Sequence, residues 1–101
     1  MKIIRHDDPG TVRLGIHGEL DLATAPLLSE HVAAALAAPP PDRLIVDVAG
    51  LTFCDSAGID ALLGARASAL EWEAAFQVVG ARGIVRRSMV ATGVVDLLTS
   101  A

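Results

Sequence analysis

The chain has 101 residues, 52% of them hydrophobic, and a formal net charge of -4 at neutral pH. That length suits one domain, residues 1–101, with one modest core, and the acidic balance argues against direct binding of nucleic acid, which calls for a basic face. Cys54 is the single cysteine and excludes an internal disulfide. No apolar stretch approaches the ~18–20 residues of a membrane span, and charges at Lys2, Arg5, Asp7 and Asp8 interrupt any signal-peptide core, so a soluble, cytoplasmic protein is expected.

Lys2 to His6 reads as a short strand, and Asp7-Asp8-Pro9-Gly10 as a turn with proline and glycine in suitable places. Val12, Leu14 and Ile16 then alternate with Arg13, Gly15 and His17, the period of a half-buried strand, which Gly18 is expected to break. From Leu20 to Ala38 the pattern is helical after a short approach. Thr24 is placed to cap it, Pro26 is tolerated in the first turn, and Leu28, Val32 and Leu36 form a buried stripe. Pro39, Pro40 and Pro41 end that helix.

Leu44 to Val48 is nearly all apolar, as a central strand covered on both faces would be. Ser56 to Leu70 is the second helix, with Ile59, Leu62, Leu63, Ala67 and Leu70 on one face. Ala75 to Val79 is a further strand closed by Gly80. Arg82 to Thr92 forms a third helix with Ile84, Val85 and Met89 inward and Gly93 as its stop. Val94 to Thr99 is a short strand or a helical turn. The order β-β-α-β-α-β-α plus a terminal element implies an α/β domain, with an antiparallel opening pair and parallel pairing through right-handed crossovers.

The strand-to-helix turn at Asp55-Ser56-Ala57-Gly58 is the candidate site, because α/β domains place their sites at such turns. Ser56 admits three readings. As a helix cap, it or Asp55 accepts an orphan amide, worth about 1 kcal/mol. As a nucleophile it lacks the Gly-x-Ser-x-Gly elbow, since Cys54 stands at the first glycine, and no histidine follows it; His6, His17 and His31 all precede it and match no metal-site spacing. As a modified residue it is presented by a rigid scaffold, where a phosphate would add about -1.5 to -2 charges that a helix N-terminus tolerates.

The segments GELDLATAPLL (Gly18 to Leu28), LIVDVAGLTFCDSAGIDALLGA (Leu44 to Ala65) and VVGARGIVRRSMVATGVVDLL (Val78 to Leu98) resemble, in order, the STAS domain of bacterial anti-sigma factor antagonists. The resemblance implies the STAS fold and a non-enzymatic partner switch that regulates transcription. The unphosphorylated antagonist would bind a serine-kinase anti-sigma factor of the GHKL ATPase type, releasing the sigma factor. The kinase would phosphorylate Ser56, and a PP2C-type phosphatase would restore it. Asp55 would polarise the Ser56 environment, Gly58 would let a partner's backbone approach closely, and Asp21 with Thr24 would border the same surface.

ATP and metal ions would belong to the partners, leaving this chain without a cofactor. Ala57 replaces a second Ser or Thr found in many relatives, which leaves Ser56 as the candidate phosphosite in the turn. Asp60 and Gly64, on the exposed side of the second helix, are expected to contact the partner with Ala57. The sequence stops at Ala101, short of a further C-terminal helix in longer relatives, so a sheet edge is expected to be less covered and the chain to be a monomer or weak dimer. A second class remains open: a STAS-type subunit of a bacterial lipid-transport ABC system or stress-sensing complex, binding its partner without phosphorylation.

Overall fold

The computed structural model describes residues 1–37 and 39–100. It consists of β1 (Lys2–Asp8), β2 (Thr11–Leu20), α1 (Ala25–Leu36), β3 (Arg43–Cys54), α2 (Ser56–Glu71), β4 (Ala75–Val79), α3 (Gly83–Ala91) and α4 (Val95–Thr99). The strands form one mixed sheet in the order β1-β2-β3-β4, with β1 antiparallel to β2 and the other pairs parallel. This is the expected α/β architecture, and the ambiguous terminal element is a helical turn.

The β1–β2 hairpin turns on Pro9 and on Gly10, whose φ of +76° fits the third position of a type II turn. Gly18 does not end β2 as expected. It sits at φ +103°, where the β2–β3 register slips, and the strand resumes to Leu20. Leu20 is therefore strand, not helical approach. The extra residue of the slip, Thr52, lies on β3, and Gly18 at positive φ lets β2 follow that bulge without ending.

β3 likewise runs past Val48 to Cys54, and it is not covered on both faces. Leu44, Val46, Val48, Leu51 and Cys54 are buried, while Asp47 on the other face pairs with Arg13 at 2.7 Å. Both crossover helices pack on the buried face, as two right-handed connections in the same direction require.

The core is aliphatic: Leu14, Ile16 and Leu20 of β2 share one buried cluster with Leu28, Val32 and Leu36 of α1, the stripe expected of that helix. α2 differs from expectation. Gly58, Ile59, Leu62, Ala65 and Ala69 are buried and Leu63 is partly so, whereas Ala67 and Leu70 are exposed. The helix is rolled toward its small residues, because these let it lie close to the sheet. In α3, Val85 and Met89 point inward but Ile84 is 50% exposed.

Both α2 and α3 end in the same hydrogen-bond pattern. The amides of Gly93 and Val94 donate back to Val90 and Met89, and those of Glu73 and Ala74 to Leu70 and Ala69. Gly93 takes the left-handed position at φ +74°, as expected. Glu73 takes it at φ +57° without glycine's freedom.

Candidate functional site

The candidate site is assembled where β2 and β3 deliver their last residues to α2. Asp55 is extended (φ -97°, ψ -171°), and its carboxylate accepts the Gly58 amide at 2.9 Å while its carbonyl accepts the Ile59 amide at 2.9 Å. Asp55 is thus the cap, which frees Ser56 from that role. Ser56 is the first helical residue. It is exposed, and its hydroxyl makes no hydrogen bond among the described residues.

Gly58 is buried, and its lack of a side chain serves the chain itself. A Cβ there would lie 2.6 Å from the Leu20 carbonyl oxygen and 2.8 Å from the Cys54 sulfur. The close backbone approach that the glycine permits is therefore to β2, not to a partner. The same Leu20 carbonyl accepts the Asp55 amide at 3.3 Å, locking the end of β2 to the turn.

Asp21 follows Leu20 directly, so the Asp21–Thr24 turn borders the Asp55–Gly58 turn as expected. Thr24 is not the expected side-chain cap. It has helical backbone angles, and its hydroxyl donates to the Glu19 carbonyl at 2.8 Å and accepts the Asp21 amide at 2.9 Å. The Asp21 carboxylate accepts the amides of Ala23 and Thr24 at 3.0 and 3.1 Å. Both side chains are committed to shaping the turn. What the turn presents outward is Leu22, 77% exposed, a residue that sequence reasoning passed over. A large apolar residue between two structured positions was the available signal.

Leu22 opens onto a groove between the starts of the two helices, formed by Ala25, Pro26 and Glu30 on one side and Ala57 and Asp60 on the other. Asp60 is exposed one turn beyond Ser56, and Gly64 two turns beyond, with open space where a side chain would stand. Ser56, Asp60 and Gly64 thereby form a continuous stripe along α2.

The chemistry available here is recognition. Burial, assisted by the neighbouring Asp55 charge, pushes the Cys54 thiol up to about 11, so it carries no thiolate at neutral pH. No histidine hydrogen-bonds Ser56 among the described residues; the His31 ring instead meets the Leu27 carbonyl of its own helix. Arg82 donates to the Ala49 carbonyl at 3.3 Å, while Arg86 and Arg87 are exposed. Among the described residues no helix is long and apolar enough to cross a membrane, and no cluster of His, Cys, Asp and Glu is arranged to hold a metal ion.

A family model described as Mlab, STAS domain, matches residues 5–99. No match is found among curated proteins. Among solved structures, an anti-sigma factor antagonist from Mycobacterium paratuberculosis is 31% identical, with a TM-score of 0.82 over 99% of this chain and 86% of its own. The unphosphorylated anti-sigma factor antagonist SpoIIAA is 19% identical, with a TM-score of 0.82 over 99% of this chain and 88% of its own. The phosphorylated form of SpoIIAA from Bacillus is 18% identical, with a TM-score of 0.74 over 99% and 91%. With its strand order, its Asp-Ser-x-Gly turn and these matches in agreement, the chain belongs to the STAS-domain family of anti-sigma factor antagonists.

Proposed function

We propose that this protein is a phosphorylation-controlled antagonist of an anti-sigma factor, with Ser56 as the modified residue. The observation that carries the reading is an exposed hydroxyl, unused by the fold, at the first position of a helix whose cap is supplied by its neighbour. In the unphosphorylated state the stripe of Ser56, Asp60 and Gly64, with Ala57, Leu22 and the groove beside them, docks on a serine-kinase anti-sigma factor of the GHKL type in the cytoplasm. Asp21, Thr24, Asp55 and Gly58 hold that surface in shape. A PP2C-type phosphatase reverses the mark. The protein performs no catalysis.

Magnitudes favour a switch that acts on docking more than on folding. A phosphate on Ser56 gains about 0.3–1 kcal/mol from the helix N-terminus. It loses about 0.2–0.5 kcal/mol to Asp60 one turn away. These nearly cancel. Against a partner's carboxylate at about 4 Å, each added charge costs roughly 4 kcal/mol at a surface-like dielectric, close to a thousandfold in affinity. That the relative SpoIIAA keeps this fold in both its unphosphorylated and phosphorylated forms supports the same division.

The test is to incubate the chain with candidate kinase anti-sigma factors and ATP and to map phosphate by mass spectrometry. Labelling confined to Ser56 and lost in Ser56→Ala is expected. Labelling elsewhere, or none with a kinase that binds the chain tightly, defeats the proposal. A second reading is favoured by the description of the family model, Mlab: a subunit of a lipid-transport ABC system, in which Ser56 is a permanent contact. It requires a stable complex with the system's ATPase subunit that Ser56→Asp disrupts and that no kinase regulates.

A further inference from the structure

The two edges of the sheet are protected by different means. β1 carries Lys2, Arg5, His6, Asp7 and Asp8 and is followed by Pro9, the charges and proline that discourage pairing with another chain. β4, on the other edge, reads AFQVV, with neither a charge nor a proline of its own, and is flanked instead by α4, whose Thr99 carbonyl accepts from Gln77 at 3.1 Å. Beside it stand three large apolar side chains in the open: Leu70 at 50%, Trp72 at 53% and Leu97 at 46%. One such residue is ordinary. Two of them, Leu70 and Leu97, share one groove between α2 and α4, an apolar pair that calls for a cover.

A groove runs over this end, with Leu70, Phe76 and Leu97 in it and both Arg66 and Asp96 among its walls. Among the described residues neither charge forms an ion pair. A surface that brings its own cation, its own anion and its own apolar centre matches a rotated image of itself. A purely acidic or purely basic partner would satisfy only one of the two charges.

We propose that this face docks a second copy of the chain about a twofold axis. Arg66 of each copy faces Asp96 of the other, and the leucines pack across the axis. Ser56 begins the same helix that Leu70 nears the end of, about 21 Å away along its axis. The dimer therefore leaves both regulatory turns open and does not rest on the proposed phosphorylation.

The experiment is sedimentation velocity on the full chain from about 1 μM to about 1 mM, a range that captures weak association. Concentration-dependent dimerisation is expected. Arg66→Asp and Asp96→Arg should each weaken it by about tenfold or more, and the double reversal should restore it. A purely structural role for either residue would give no such restoration. Leu97→Glu should give a monomer with an unchanged thermal melt, and Ser56→Asp should dimerise like the parent. A monomer throughout overturns the proposal. So does a dimer indifferent to Leu97→Glu, a double reversal no better than the singles, or a dimer lost in Ser56→Asp. If Leu97→Glu instead abolishes binding to the kinase anti-sigma factor while the parent stays monomeric, another protein covers this face and the proposal falls.

Discussion

The Asp21–Thr24 turn and the Asp55–Gly58 turn open the two crossover helices side by side, and both are built around an aspartate. In the first, carboxylate and hydroxyl are both bound to the chain's own backbone, and the apolar residues between them, Leu22 and Ala23, face out. In the second, the carboxylate alone closes the helix end, and the serine hydroxyl is left over. The lesson is one of division of labour. A group that supports the fold cannot be altered without loss, so a reversible mark belongs on the one polar group the fold does not need.

That contrast ranks substitutions at four positions. Gly58→Ala should be the most damaging. Its Cβ would press on the Leu20 carbonyl, a backbone atom with no room to yield, and overpacking of about 1–3 kcal/mol outweighs the roughly 1 kcal/mol of helix propensity that alanine restores. With three atoms at 3.0 Å or less from that Cβ the overpacking falls at the upper end, so urea unfolding should show a net loss of about 2 kcal/mol, and a stabilised variant would mean α2 does not sit so close to β2. Thr24→Val keeps the shape but removes two hydrogen bonds, for about 1.5 kcal/mol in the same assay. A neutral result there would dissolve the difference between the turns.

Asp55→Ala should cost about 1 kcal/mol through the lost cap. Ser56→Ala and Ser56→Asp should each stay within about 0.5 kcal/mol of the parent, as exposed positions do. Calorimetry that found Ser56 as costly as Thr24 would remove the basis for treating it as spare. Binding to the kinase should show the reverse order, with Ser56→Asp weakening it far more than any stability change explains.

The order of elements, the mixed sheet and the exposed Ser56 were legible in the sequence, since hydrophobic period and turn chemistry carry them. The face of α2 was harder to read. It was legible only in part: Ile59 and Leu62 are buried and Leu63 partly so as expected, but Gly58, Ala65 and Ala69 take the places expected for Ala67 and Leu70, because small residues let the helix lie close to the sheet. The same blindness to distance hid the role of Gly58. Its sequence shows only that a side chain is missing, not which atom fills the space. Gly18 misled for the related reason that a glycine at positive φ inside a strand, facing a bulge on its neighbour, reads like a strand end. Asp21 and Thr24 were correctly placed beside the site, yet their hydrogen bonds, all to residues within five positions, show them to be framework.

Cys54 lies beneath this surface, 3% exposed and against the backbone that Gly58 brings close. With its thiol held near 11, it is nearly inert to alkylating reagents while α2 rests on β2. Its modification rate therefore counts the moments when the helix lifts away. The lone sulfur is a built-in clock for the breathing of the Asp55–Gly58 turn, readable without attaching any label to the proposed docking surface.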